Sequence, residues 1–298
     1  MTLESKIEEA LHAAGIAAGD TVFVHSAVRG LVLSLLAEGR RDGNLVEAAA
    51  EVLHSAISTT LGANGTIASP AFFYEYGRYG TPFDAATSPT DKRLGGFCSW
   101  MLNVPGMRRS LCPTVSVIAS GKNASEICDT GTGFGYGSMS PWQRLVDLDA
   151  KMLFWECTPR MMTFVHHVEV LAGVPHTYNK VYDAPVTGLD GPFDGPVVSA
   201  VRYLDEDFEI VYELARFTTA ATEAGIVRTA KMGSLNLQVI GFRDAEALLL
   251  EKLSQDPYFL LVKPPVFTPG KIPFDGGSGA VNPKLRHVAE KVSVEVKE

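Results

Sequence analysis

Cysteine is scarce and scattered: Cys98, Cys112, Cys128 and Cys157 are the four in 298 residues, with no CxxC pair. That spacing supplies neither a zinc ribbon nor a disulfide framework, and reduced thiols are expected. Positive charge is short as well, with 26 Lys and Arg against 34 Asp and Glu, a net −8. Binding nucleic acid needs a basic surface, so no nucleic-acid partner is expected. No run reaches the ~18 uncharged apolar residues of a membrane span, and no membrane partner is expected either. Residues 1–9 are acidic and amphipathic, unlike a secretory signal, so the expected location is cytoplasmic. Also missing are a phosphate-loop signature, a GxGxxG and a Gly-x-Ser-x-Gly elbow, which leaves a serine hydrolase without its nucleophile.

What is present is globular material. Apolar residues make up 46% and charged residues 20%, too apolar for a disordered chain. The acidic balance suits a cationic small substrate, but only weakly. Leu3, Ile7, Ala10, Leu11 and Ala14 recur at helical spacing, and Gly15 is a stop. Residues 21–26 and 65–69 read as buried strands. Between them Asn44 and Glu47 form a variant capping box for a helix over 45–61. Strands are expected at 114–120 and 151–156, a helix from Ser140-Pro141, and another over 161–172 that Gly173 ends. Closely spaced strands at 197–203, 226–231 and 237–240 follow, with helical stretches in 208–224 and 243–253. Such alternation predicts an α/β fold in which helices flank a mixed β-sheet rather than a purely parallel one. Residues 1–262 form the expected domain. The Pro- and Gly-rich segment 263–298 is expected to be an extension packed on or near it, with a lid or subunit arm as the alternative.

Chemistry concentrates in residues 163–169, Thr-Phe-Val-His-His-Val-Glu. On a helix His166 and Glu169 share a face, while His167 points about 100° away. A carboxylate beside an imidazole fixes its tautomer and stabilises its cation, which suits a general base. His-His-x-Glu is a poor zinc pattern, so no metal is expected. Cys112, before Pro113, reads as a small buried hydrophobe or, with a nearby cation or base, a nucleophile. His25-Ser26 ends the first strand, where an open α/β sheet places ligands. The glycines of 131–137 follow a helix, so the segment reads as a loop feeding the helix at Pro141.

Several stretches then fall into one family's order: 19–26, 65–70, Phe83-Asp84 with Ser88-Pro89, 105–116, 135–141 and 163–169. Together they resemble the aminoglycoside 3-N-acetyltransferases, which are distinct from the GCN5-related fold. The resemblance covers about residues 1–262. It implies CoA-dependent acylation of an amine on an amino sugar, with acetyl-CoA or another acyl-CoA as co-substrate and no metal. The family's histidine and glutamate would fall on His166 and Glu169, and its aspartate on Asp84. Contacts to CoA would fall on His25, Ser26 and neighbouring amides, Ala27 among them, with Ser116 near the thioester. The chain departs from the family in having Cys112 before Pro113 instead of histidine. It also lacks the Gly-Gly turn soon after the first strand, with a longer stretch over 29–43 in its place. The expected partners are a small-molecule amine and CoA, and a homo-oligomer stays open. Two other readings stand beside this one: Cys112 as a covalent acyl carrier, and a non-catalytic homologue that binds CoA or an amine.

Overall fold

Helix α1 (Leu3–Ala13) turns Leu3, Ile7, Ala10 and Leu11 inward, and the Thr2 hydroxyl caps it by accepting from the Ser5 amide at 3.2 Å. It leads to β1 (Thr21–Ser26), whose first five residues are all buried. A strand covered on both faces belongs at the centre of an α/β sheet. The computed structural model describes residues 2–203 and 208–267, so the expectations for 268–298 lie outside the described residues.

After β1 come α2 (Arg29–Ala37) and α3 (Leu45–Leu61), the latter capped by Asn44 Oδ1, which accepts from the Val46 and Glu47 amides at 3.1 and 3.3 Å. Strand β2 (Thr66–Pro70) is buried throughout. Short elements follow: α4 (Tyr74–Tyr79), β3 (Phe83–Asp84), α5 (Gly96–Met101) and β4 (Arg108–Arg109). The strand expected over 114–120 begins later, as β5 (Val117–Gly121), because Pro113 locks its backbone into a tight 3-10 turn over Pro113–Val115. Then come α6 (Ala124–Cys128), β6 (Gly133–Phe134), α7 (Pro141–Asp147) and β7 (Lys151–Trp155). Helix α8 (Val165–Ala172) starts later than expected and stops at Gly173. The remainder comprises β8 (Thr177–Tyr182), β9 (Val186–Gly188), β10 (Gly191–Phe193), β11 (Val197–Arg202), α9 (Ala215–Glu223), β12 (Arg228–Met232), β13 (Leu235–Gly241) and α10 (Phe242–Gln255).

The large sheet runs β12-β13-β7-β1-β2-β5-β4. Strand β1 pairs in parallel with β2 and β7, and every other pairing in it is antiparallel. It is a mixed sheet, as expected. Side-chain alternation along β1 assigns its two faces. Val22 and Val24 join the core under α1, α2, α3 and α5, and Phe23 joins the core under α7, α8 and α10. Trp142, Phe154, Phe164 and Phe242 are fully buried in that second core, and each such side chain contributes about 1.5–3 kcal/mol by leaving water. The other strands form two small sheets, β10-β9-β3 and β6-β11-β8. Past α10 the chain runs back along 208–212, where the Val262 and Val266 amides donate to the Val211 and Phe208 carbonyls at 2.8 and 3.3 Å. No helix among the described residues is long and apolar enough to cross a membrane.

Candidate active site

Helix α8 presents His166 and Glu169 on one face, three residues apart. His166 Nδ1 lies 2.7 Å from Glu169 Oε2. The Glu169 side chain is wholly buried, while that of His166 is 35% exposed, so the imidazole stands between a sealed carboxylate and solvent. Two further donors converge on the same carboxylate: His176 Nε2 on Oε1 at 3.0 Å and the Tyr212 hydroxyl on Oε2 at 2.9 Å. Burial alone would raise the Glu169 carboxyl, but the hydrogen bonds from His166 and His176 outweigh it and hold the group down to about 2. A carboxylate only accepts hydrogen bonds, so His166 turns a protonated Nδ1 toward Glu169. Burial pushes the hydroxyls of Tyr136 and Tyr212 well above the usual range, with Glu169's charge adding to the shift in Tyr212, so both stay protonated.

His167 goes the other way, as its helical position requires. It is fully buried, stacked on Phe164 at 5.3 Å, accepts from the Gly137 amide at 3.3 Å and faces Glu246 of α10 at 3.7 Å. The 135–137 turn ties β11 to α8, since the Gly135 amide donates to the Val198 carbonyl at 2.7 Å. Gly135 is needed for close approach: a Cβ there would stand 2.6 Å from Val115 Cγ2 and 3.0 Å from Cys112 Sγ.

Cys112 is 2% exposed, its Sγ lies 3.5 Å from Thr114 Oγ1, and burial pushes the thiol up to about 11. Hydroxyls and backbone surround it, with Thr114, Ser199 and the Val198 carbonyl in hydrogen-bonding reach. A cysteine nucleophile needs a lowered pKa, and burial moves this thiol the opposite way. Ser116, expected near a thioester, directly precedes β5. It is fully buried, donates to the Ala71 carbonyl at 2.6 Å and accepts from Arg109 Nε at 3.4 Å. Asp84 is half-buried on β3, and its Oδ1 accepts from the Ala86 and Thr87 amides at 2.8 and 3.1 Å.

The expected CoA residues gather at the C-terminal end of β1. His25 is buried, stacked on Phe154 at 5.1 Å, and burial lowers its imidazole to about 4. Ser26 is half-buried, and exposed Ala27 donates its amide to the Trp155 carbonyl at 2.9 Å. Helix α2 starts directly after them, and its Gly30 amide donates to Glu156 Oε2 at 2.9 Å. Glu156 follows β7 with φ 52, an uncommon conformation for a residue with a side chain. A Cβ on Gly30 would sit 2.4 Å from Glu156 Oε1, so glycine makes room for an internal anion at this helix start.

Sequence reasoning placed His166 and Glu169 but missed His176, Tyr212 and Glu156. The Gly173-Val174-Pro175 stop before His176 announces a turn that returns the chain beside α8. Nothing local marks Tyr212, 43 residues after the carboxylate it touches.

The aminoglycoside 3-N-acetyltransferase family model matches residues 40–254. An aminoglycoside N(3)-acetyltransferase III from Salmonella sp is 28% identical over 207 residues, covering 64% of this chain and 68% of that protein. An aminoglycoside N(3)-acetyltransferase IV from Salmonella sp is 28% identical over 256 residues, 84% of this chain and 87% of that protein. The solved structure of AAC-IIIb in a binary complex with CoASH superposes with a TM-score of 0.68 at 23% identity, over 85% of this chain and 97% of that one, and so shares the fold. The match over most of the chain settles its membership: it belongs to the aminoglycoside 3-N-acetyltransferase family.

Proposed function

We propose that this chain transfers an acetyl group from acetyl-CoA to an amine of an amino-sugar acceptor, with His166 as general base and Glu169 as its partner. The observation that carries this reading is the half-exposed His166 held through Nδ1, at 2.7 Å, by a sealed carboxylate. An amine attacks a thioester only when unprotonated. His166 Nε2 takes the proton as the new C–N bond forms and the C–S bond breaks, and the departing thiolate receives it. Glu169 stabilises the imidazolium in between. Asp84, half-buried with Oδ1 engaged by two amides, would meet cationic groups of the acceptor. Exposed Ala27, just past β1, and exposed Arg29, the first residue of α2, would meet CoA, while His25 forms an apolar wall. Cys112 is a packing residue in this account.

The test is release of free CoA thiol by the purified chain. Amines with and without amino-sugar rings are offered with acyl-CoAs of several lengths. Turnover of amino sugars with acetyl-CoA supports the reading. CoA binding without release from any pair would favour a non-catalytic binder.

A further inference from the structure

The general-base reading asks for one partner of His166, yet three donors meet on Glu169. Two share Oε2, His166 Nδ1 at 2.7 Å and the Tyr212 hydroxyl at 2.9 Å, and the third, His176 Nε2, holds Oε1 at 3.0 Å. His176 is fully buried and braced by the rings of Tyr212 and Tyr258, each 6.0 Å away. A carboxylate held at one oxygen can rotate about its last bond. Held at both, it keeps its plane and keeps Oε2 aimed at His166. Tyr212 acts differently. Its hydroxyl draws on the same oxygen that stabilises the imidazolium, so it weakens the grip of Glu169 on the proton that His166 must release at each turnover.

Resting on the assignment of His166 as base, we propose that His176 and Tyr212 are positioning residues: His176 fixes the plane of Glu169, and Tyr212 sets how tightly Glu169 holds the His166 proton. The other charged and titratable groups around the pair do not compete for these roles. Tyr136 approaches His166 edge-on at 6.3 Å. Arg202 of β11 lies 5.6 Å over the Tyr212 ring, where its charge acts in the same sense as the hydroxyl. His167 and Glu246 face each other on another side of α8.

The full chain is compared with Tyr212→Phe, His176→Leu and His176→Gln, the last returning an N–H near the imidazole Nε2 position. Tyr212→Phe is expected to move the acidic limb of the kcat/KM profile to higher pH by about half a unit to one unit. The His166 Nδ1 proton resonance is expected to move further downfield as its hydrogen bond strengthens. His176→Leu is expected to lower kcat about 10- to 100-fold with little change in KM for acetyl-CoA, and His176→Gln to recover most of it. An unmoved Nδ1 resonance and pH limb in Tyr212→Phe, or His176→Gln no better than His176→Leu in folded protein, overturns the assignment. The resonance needs no turnover, so it separates failure of this inference from failure of the acetyltransferase reading. Tyr212→Phe removes one oxygen and carries the test alone if His176→Leu does not fold.

Discussion

His25 and His166 lie on the same side of the large sheet, and their surroundings give them opposite chemistry. His25 is packed between Phe23 and Phe154, and its Nε2 has no hydrogen-bond partner among the described residues. Burial keeps it neutral, with its pKa lowered to about 4. His166 has one edge on an ionised carboxylate and the other toward solvent. A run of rings joins the two places, through Phe23, Trp142 and Tyr136, at centroid spacings of 5.2, 5.2, 6.1 and 6.3 Å. Partner and exposure, not position on the sheet face, therefore separate the two imidazoles.

The largest effect should come from removing the partnered histidine. His166→Ala is expected to lose about 10²–10⁴-fold in kcat with CoA affinity nearly intact by calorimetry. His25→Phe, by contrast, should keep activity within about threefold, since a stacked apolar ring performs the same packing. Equal losses in the two variants would erase the distinction.

Next comes acid stability, where the two sites titrate in different windows. The folded-state value of His25 is lowered from 6.5 to about 4, so the unfolded chain takes up the proton first and stability falls as pH drops through that interval. The loss is on the order of 3 kcal/mol. His54, lowered to about 4 as well, adds to the same window. Glu169 is lowered from 4.5 to about 2, so its contribution is present above pH 4.5 and is lost as pH falls toward 2. Urea melts across pH should show His25→Phe flattening the upper window and Glu169→Gln the lower one.

A smaller effect is expected at the helix start beside His25. Glu156→Gln removes the internal anion from the Gly30 amide. If CoA places a phosphate there, its Kd should tighten by about two- to fivefold, the scale of a helix-terminus charge. Looser binding would put the phosphates elsewhere. The smallest effect belongs to Cys112→Ser, expected to retain activity within about threefold and to leave no acylated species in mass spectra.

The elements read correctly from the sequence were those with a local signature. Strand β1 is a continuous apolar run, α3 has its Asn44 cap, and the i, i+3 spacing of His166 and Glu169 set them on one face. Helix α2 escaped because Val28 at its start offers no capping side chain and Leu31, Val32, Leu33, Leu35 and Leu36 surround it on all sides. The pairing of β9 with β10 was missed because three-residue strands bearing Gly and Pro carry no period, and β8 was missed because its residues are mostly half-buried or exposed and show no clean alternation. His176 and Tyr212 reach Glu169 only through tertiary folding, and a burial-driven shift such as that of His25 has no local code.

The order of strands in the large sheet also bears on how the chain must be made. Strand β7 lies between β1 and β13, and β13 is contributed only by Leu235–Gly241. Until that stretch leaves the ribosome, β7 presents a bare row of amides and carbonyls beside its apolar side chains. Such an edge invites pairing with another nascent chain. Truncation before Leu235 is therefore expected to yield aggregation rather than a smaller working enzyme, because β7 would keep that edge open.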